Sequence, residues 1–424
     1  MRNMRIAIVS AVYYPMTNGV AVFAHNLALG LAKNGHEVIV ICPSFTGRRH
    51  LEKQDGVFVH YVGAIRMPVY PDQINKVPEK RRFFGRELPQ FFYRKGIWVS
   101  PAPFAEVNKI LKKFRPDVIH SQTCDPIGLS ASLFAKEHNV PLVTTGHNYP
   151  DQITGQLKGI KPIKKILDAA LVSYLASYRT HSDYTTMPTE IAIEDLMKNK
   201  RRKIKIPVEA LSNGVDLTAF TPGKANLRIY NKYHLPTDQP IVLYVGRVDP
   251  AKSIGRVIEA FTQVLEKVPK AKLVIVGDGV DLGHLKTLVK YYQIEKSVQF
   301  LGKIMMPELA EIYKVGSVFV TASETETQGV VLIEAAATGL PIVAVDKGAV
   351  KEICHDGENG VLCQAGGDID GIAAGIVKIL TDDDLRREYG KQSLELSKKH
   401  DLSHTVKRFE EIYFETMERK FEED

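Results

Sequence analysis

At 424 residues and 47.3 kDa the chain is too long for one compact core, so two domains are expected. Hydrophobic residues make up 44% and charged residues 25%, an ordinary globular composition with no run approaching the roughly 20 apolar residues of a membrane span. The net charge of +7 is modest for the length, and with no recognised binding motif it argues against nucleic acid as a partner.

The elements follow in chain order. The opening MRNMRIAIVSAVYYP holds an apolar run of only about five residues, a first strand (6–10) and not a signal peptide. Asn18-Gly19-Val20 forms the elbow after it, and the helical period of VAVFAHNLALGLAKNGH ends at Gly35. Strands are expected at 37–42, 117–121 and 142–146. Between the first two of these, 76–98 interleaves Lys76, Lys80, Arg81, Arg82, Arg86, Arg94 and Lys95 with Phe83, Phe84, Phe91, Phe92, Tyr93 and the only tryptophan, Trp98. Clustered bases with aromatics suit a segment lying on an anionic lipid surface. A second basic stretch, 158–179, begins with Lys158, Lys161, Lys164 and Lys165. His147 stands just beyond the strand at 142–146, in a loop with Asn148, Pro150 and Asp151.

The helical pattern breaks at 201–216, around Pro207 and Asn213-Gly214, which marks the joint. Strands resume at 241–246, 272–277, 298–302, 317–322 and 341–345. Strands alternating with helices in both halves give α/β architecture with parallel sheets and right-handed crossovers. The expected division is 1–207 and 208–401, with an amphipathic helix at 402–424 packing back on the first domain.

Two elbows of the second half carry chemistry. The strand 241–246 opens into Arg247-Val-Asp-Pro-Ala-Lys252 and a helix; a fork of donors and a point charge above a helix start suit a diphosphate. Neither GxxxxGK[ST] nor GxGxxG follows a first strand, which excludes a P-loop and argues against a dinucleotide oxidoreductase. Gly277 and Gly279 read as a plain strand-to-helix turn. The other elbow lies in FVTASETETQGVVLIEAAATGLPIVA (319–344), where Glu326 sits in the loop and Glu334 eight positions on in the following helix. Gly329 permits close backbone approach, and the N–H groups at the helix start favour oxygen ligands. A loop carboxylate accepts paired hydrogen bonds from the adjacent hydroxyls of a sugar, and a second one deeper in the helix suits a ribose; Glu324 reads as a neighbour. Thr381 with Asp384 is expected to form a capping box. Cys42, Cys124, Cys354 and Cys363 include no C-x-x-C pair and read as reduced cytosolic thiols, and no cluster has metal-ligand spacing.

Taken jointly, Gly246-Arg247 with Lys252, Glu326-x7-Glu334, the G-x-P-x-V-A run from Gly339, Asn213-Gly214-Val215-Asp216 and the NGH before the second strand resemble the family-4 glycosyltransferases over essentially the whole chain. The resemblance implies a GT-B fold, two Rossmann-like domains facing a central cleft, an N-terminal acceptor domain and a C-terminal nucleotide-sugar domain. It implies retaining, metal-independent transfer of a hexose from a nucleotide sugar, a UDP-hexose such as UDP-glucose, with no cofactor. Arg247 and Lys252 would bind the diphosphate, Glu326 the sugar hydroxyls, and Gln328, Gly329 and Val330 the sugar or phosphate through backbone N–H groups. Glu334 would hold the ribose, Lys303 and Ile304 the base, His147 would lie over the sugar, and Gly19 would face donor phosphates or acceptor. The Glu326-Thr327-Gln328-Gly329-Val330 loop replaces the EGFGL-type loop of many members and resembles the subgroup that glycosylates diacylglycerol. With Lys80, Arg81, Arg82, Phe83, Phe84, Phe91, Phe92 and Trp98 as membrane-facing candidates, the expectation is a cytoplasmic enzyme peripheral at the inner face of the cell membrane. The alternatives are a soluble-sugar or polyprenyl-linked acceptor, a sugar-nucleotide epimerase, and a non-catalytic sugar-nucleotide binder.

Overall fold

The computed structural model describes residues 3–14, 16, 18–71, 82–83, 86–87, 95–147, 178, 181–197 and 206–422. The chain divides into two α/β units, one of 1–213 with 402–424 and one of 214–401.

The first unit is built on an eight-stranded sheet. Its strands are β1 (Arg5–Val9), β2 (Glu37–Pro43), β3 (His50–Gln54), β4 (Val57–Val62), β9 (Val118–Ser121), β10 (Leu142–Thr145), β11 (Tyr184–Met187) and β12 (Val208–Ala210), in the order β12-β11-β10-β9-β1-β2-β4-β3. All pair in parallel except β3 with β4. Among the described residues the other strands of this unit are two short antiparallel ribbons, β5 (Ile65–Pro71) with β8 (Lys95–Val99) and β6 (Arg82–Phe83) with β7 (Arg86–Glu87). One face packs against α1 (Gly19–Lys33); α2 (Phe104–Phe114), α3 (Pro126–Glu137) and α4 (Glu190–Met197) are the other helices of the first half among the described residues. In α1, Ala21, Phe23, Ala24, Leu27, Ala28 and Leu31 are buried at helical spacing, and Asn18 Oδ1 caps its start by accepting from the Ala21 amide. Gly35, at φ +94°, ends it. On the opposite face Val107, Leu111, Ile127 and Phe134 from α2 and α3 cover Val9, Ile39 and Ile41.

The second unit carries a six-stranded parallel sheet in the order β15-β14-β13-β16-β17-β18, formed by β13 (Ile241–Val245), β14 (Lys272–Val276), β15 (Val298–Gly302), β16 (Val318–Thr321), β17 (Ile342–Val345) and β18 (Gly360–Cys363). Its helices are α5 (Leu227–Tyr233), α6 (Ile254–Lys267), α7 (Leu282–Tyr291), α8 (Glu308–Tyr313), α9 (Val330–Ala337), α10 (Ile369–Thr381) and α11 (Asp383–Ser397) among the described residues. Strand residues alternate between two cores: Leu243 and Val245 meet α8 and α9, while Val242 and Tyr244 meet α6 and α10. In α6 the buried set Ile254, Val257, Ile258, Phe261 and Val264 recurs every three to four positions, so one stripe faces the sheet.

Strands stand at each of the predicted positions, with ends differing by a residue. Val208–Ala210, assigned to the second domain by the sequence reading, is the edge strand of the first unit, because Thr185–Met187 pair with it in parallel. The cap of α11 is also corrected. Asp382, not Thr381, accepts from the Leu385 amide, while the Thr381 hydroxyl donates back to the Val377 carbonyl inside α10. The last helix, α12 (Leu402–Glu422), belongs to the first unit, where Val406, Phe409, Ile412 and Tyr413 join the core beside α1. Glu410 accepts there from His36 Nε2 at 2.9 Å and from Asn34 Nδ2 at 2.9 Å. Among the described residues, no helix is long and apolar enough to cross a membrane.

Candidate active site

Both sheets reverse their strand order beside their first strand. In the second unit the chain runs β13-β14-β15 to one side and returns to β16 on the other. Open α/β sheets bind ligands outside the carboxyl ends at such a point. The segments that leave it are Gly246–Lys252, after β13, and Ala322–Gly329, after β16.

The first of these is clamped from its neighbours. Gly246 takes φ +155°, and Tyr244 Oη donates to the Arg247 carbonyl at 2.9 Å. The Val248 amide donates to Asp278 O at 3.0 Å, and the Asp281 amide to Val248 O at 3.0 Å. The Gly277–Gly279 turn lies flat against this loop. A Cβ at Gly277 would stand 1.8 Å from the Gly246 carbonyl oxygen, and one at Gly279 2.2 Å from that of Val248. These two glycines therefore do more than turn the chain: they let two loops touch backbone to backbone. A 3-10 turn, Pro250–Lys252, then delivers Lys252 to the second segment.

Lys252 Nζ donates to Glu326 Oε1 at 2.6 Å, with the two side chains only 18% and 13% exposed, so the pair is shielded from solvent screening. Burial acts to raise the Glu326 carboxyl, but Lys252, helped by Ser323 and Arg247, outweighs it and holds the group below its usual value. Glu326 is thus an ionised acceptor at the sheet's switch point. Arg247, 42% exposed, pairs with Asp249 at 3.0 Å and lends the same region positive charge. Glu324 is tied elsewhere, to Lys347 at 2.9 Å and to Arg256, and these partners hold it down to about 2. It fastens the loop.

Gly329 sits at φ +77° directly before α9, and Gln328 beside it is buried. Val330 opens the helix and Glu334 lies one turn in, where Tyr313 Oη donates to its Oε2 at 2.5 Å. Burial raises the Glu334 carboxyl to about 7 against the opposing effect of that bond. Lys303 is exposed and Ile304 buried just past Gly302, the end of β15. The structure therefore brings Lys252 and Glu326 together with Arg247 near by, and gives Glu334 a separate partner.

In the first unit the order reverses between β1 and β9. Gly19 is exposed in the first turn of α1, with open space where a Cβ would stand. His147, just past β10, is buried against Phe23 of α1, ring centroids 5.3 Å apart, and its Nε2 lies 2.6 Å from Gln122 Oε1. Burial lowers the His147 imidazole to about 3, so it is neutral at ordinary pH. Gln122, Tyr313 and Asp249 escaped the sequence reading. The one available signal was for Gln122, a polar residue directly after the apolar strand ending in His120-Ser121. Of the membrane-facing candidates, Lys80, Arg81, Phe84, Phe91 and Phe92 lie outside the described residues; Arg82 and Phe83 are in β6 and Trp98 is in β8.

The model described as Glycosyltransferase Family 4 matches residues 17–219, and that described as Glycosyl transferases group 1 matches 227–395. The chain is 29% identical over 347 residues to an alpha-monoglucosyldiacylglycerol synthase of Streptococcus pneumoniae, covering 80% of this chain and 71% of the relative. It is 27% identical over 390 residues to a GDP-mannose-dependent alpha-mannosyltransferase of Mycolicibacterium smegmatis, covering 91% of each. Among solved structures, a sucrose-phosphate synthase from Thermosynechococcus elongatus superposes with a TM-score of 0.74 at 20% identity, covering 97% of this chain and 98% of that one. The two Rossmann-like units are those of the GT-B fold, and the chain belongs to the retaining glycosyltransferases of family 4, which take nucleotide-sugar donors.

Proposed function

We propose that the protein transfers a hexose, with retention, from a nucleotide sugar of the UDP-glucose type to a lipid hydroxyl such as that of diacylglycerol at a membrane surface. The observation that carries the catalytic part is the shielded Lys252–Glu326 pair at the switch point of the second unit, beside Arg247. Arg247 and Lys252 would bind the diphosphate and stabilise charge building on the leaving group, each such donor supplying about 10²–10³ in rate. Glu326 would accept hydrogen bonds from sugar hydroxyls, and the backbone N–H groups of Gln328, Gly329 and Val330 would face sugar or phosphate. Glu334 would hold the ribose, Lys303 and Ile304 would flank the base, and Gly19 would leave room for donor phosphates or acceptor. His147, neutral, would hydrogen-bond the sugar. The departing phosphate would take the acceptor's proton, so no protein base is needed and no metal is invoked.

The lipid acceptor rests on the likeness to the glucosyldiacylglycerol synthase and on the basic-aromatic composition of 76–98. It also implies peripheral attachment at the cytoplasmic face of the membrane. The test is to supply UDP-glucose with diacylglycerol in vesicles, either containing an anionic phospholipid or wholly zwitterionic, and to identify products by mass spectrometry. Glycosyldiacylglycerol formed faster on the anionic vesicles, with the advantage lost in high salt, is the expected result. Transfer only to soluble sugars would overturn the lipid reading, and transfer only from GDP-mannose would overturn the donor.

A further inference from the structure

The polar residues behind His147 form one connected array. Gln122, at the carboxyl end of β9, faces two histidines: its Oε1 lies 2.6 Å from His147 Nε2, and its Nε2 lies 3.2 Å from His120 Nε2. His120 Nε2 also meets Thr145 Oγ1 at 2.7 Å, and its Nδ1 meets the Tyr413 hydroxyl of α12 at 2.6 Å. Thr145 continues to Thr186 Oγ1 at 2.7 Å. His120, Gln122, Thr145, His147 and Tyr413 are all buried, so each bond fixes orientation in a site where an unmade one would be costly. The titratable groups facing His147 in this array are His120 on β9 and, behind it, Tyr413 on α12.

The bonding fixes protons as well as positions. An amide oxygen can only accept, so His147 Nε2 carries the hydrogen and Nδ1 of the neutral ring carries the lone pair. The amide nitrogen of Gln122 can only donate, so His120 Nε2 accepts, and His120 Nδ1–H donates to Tyr413. Gln122 thus reads both rings at once.

We propose that Gln122 is the positioning residue for His147, holding it as the Nε2–H tautomer so that Nδ1 is the atom offered to a substrate hydroxyl, with Tyr413 of the returning helix fixing the far end through His120. This rests on the reading that His147 meets the sugar. The role is one of orientation: Gln122 touches the ring that touches substrate, as outer partners of ligating histidines do.

The test uses the full chain. Turnover with UDP-glucose and a lipid acceptor is measured across pH for the wild type, Gln122→Ala, Gln122→Glu, His147→Ala and Gln122→Glu/His147→Ala, with melting curves of each. Gln122→Ala should lower kcat by about tenfold or more with KM for the donor little changed. Gln122→Glu places a carboxylate against the imidazole and should give His147 itself an ionisation between about pH 6 and 8, read from its 15N signals and so separable from that of Glu334, which the wild type already has, because a neighbouring negative charge favours the imidazolium. That imidazole signal should be absent from the double variant. A structural glutamine would shift melting without creating the ionisation. Full kcat in Gln122→Ala while His147→Ala is inactive overturns the proposal alone; full kcat in His147→Ala overturns the reading of His147 and the proposal with it. Should the glutamate variant not fold, 15N-histidine spectra of the wild type decide. His147 as a neutral Nε2–H ring supports the assignment, and an Nδ1–H ring or an imidazolium at pH 7 refutes it.

Discussion

Lys252 and Glu326 depend on each other across 74 positions of sequence. Removing either leaves a shielded charge without its partner, so Lys252→Ala and Glu326→Ala should each cut turnover by about 10²–10³. Both should also lower stability by roughly 1–3 kcal/mol in denaturant titrations. Wild-type rates in either variant would place the chemistry elsewhere. Glu334 makes a prediction of opposite sign in pH. Its folded value of about 7 lies above the ordinary 4.5, so the folded state holds the extra proton between them. The stability linked to this group is complete below about pH 4.5 and is lost as pH rises through about 7. Glu334→Gln, which cannot ionise, should therefore match the wild type in melting temperature at pH 5 and exceed it at pH 8; equal melting at both would remove the shift. The pairs Arg247/Lys252 and Glu326/Glu334 were legible in the sequence because each lies in a strand-to-helix elbow with a short, fixed spacing. Gln122 and Tyr313 were not, because each matters only through a partner 25 or 21 residues away that folding brings alongside.

At the scale of elements, buried parallel strands announce themselves as short apolar runs, which is why Val9, Val245 and Val318 fell in predicted strands. β3, His-Leu-Glu-Lys-Gln, is exposed along nearly its whole length and shows no such run. β11 (Tyr184–Met187) is polar where most other buried strands are apolar, and its Thr185 and Thr186 bond across the sheet to Thr144 at 2.9 Å and Thr145 at 2.7 Å. Buried polar atoms satisfied between strands leave no periodic trace in composition. Two glycines set the elbows. Gly329→Ala would put a Cβ 2.6 Å from Leu332 Cδ1 at a φ of +77°, and Gly277→Ala would drive one into the Gly246 carbonyl. The second has only backbone to displace and should cost more: a melting temperature several degrees below that of Gly329→Ala, with donor affinity reduced because the Arg247 loop moves. Equal and small effects would mean the two loops are not held in contact.

At the scale of the whole molecule, the first unit is not closed until the chain returns to it. Phe409, Ile412 and Tyr413 of α12 complete the core around Met4, Phe23, Leu27 and Leu31, and Glu410 bonds His36 across 374 positions. Truncation after Asp401 should leave the first unit unfolded or aggregated while the second, 214–401, retains its cooperative melting; an unaffected first unit would contradict this division. Each unit has a sheet with a switch point, the second carrying a carboxylate–lysine pair there and the first a neutral buried histidine. The most direct measurement is the anomeric configuration of the product. An α-linked UDP-hexose is supplied with lipid acceptor, and the linkage formed is read by proton NMR, with Glu326→Ala as control. The wild type should give an α-linked glycolipid and Glu326→Ala the same product about 10²–10³-fold more slowly; a β-linked product, or transfer undiminished in Glu326→Ala, would refute retention or the role of Glu326.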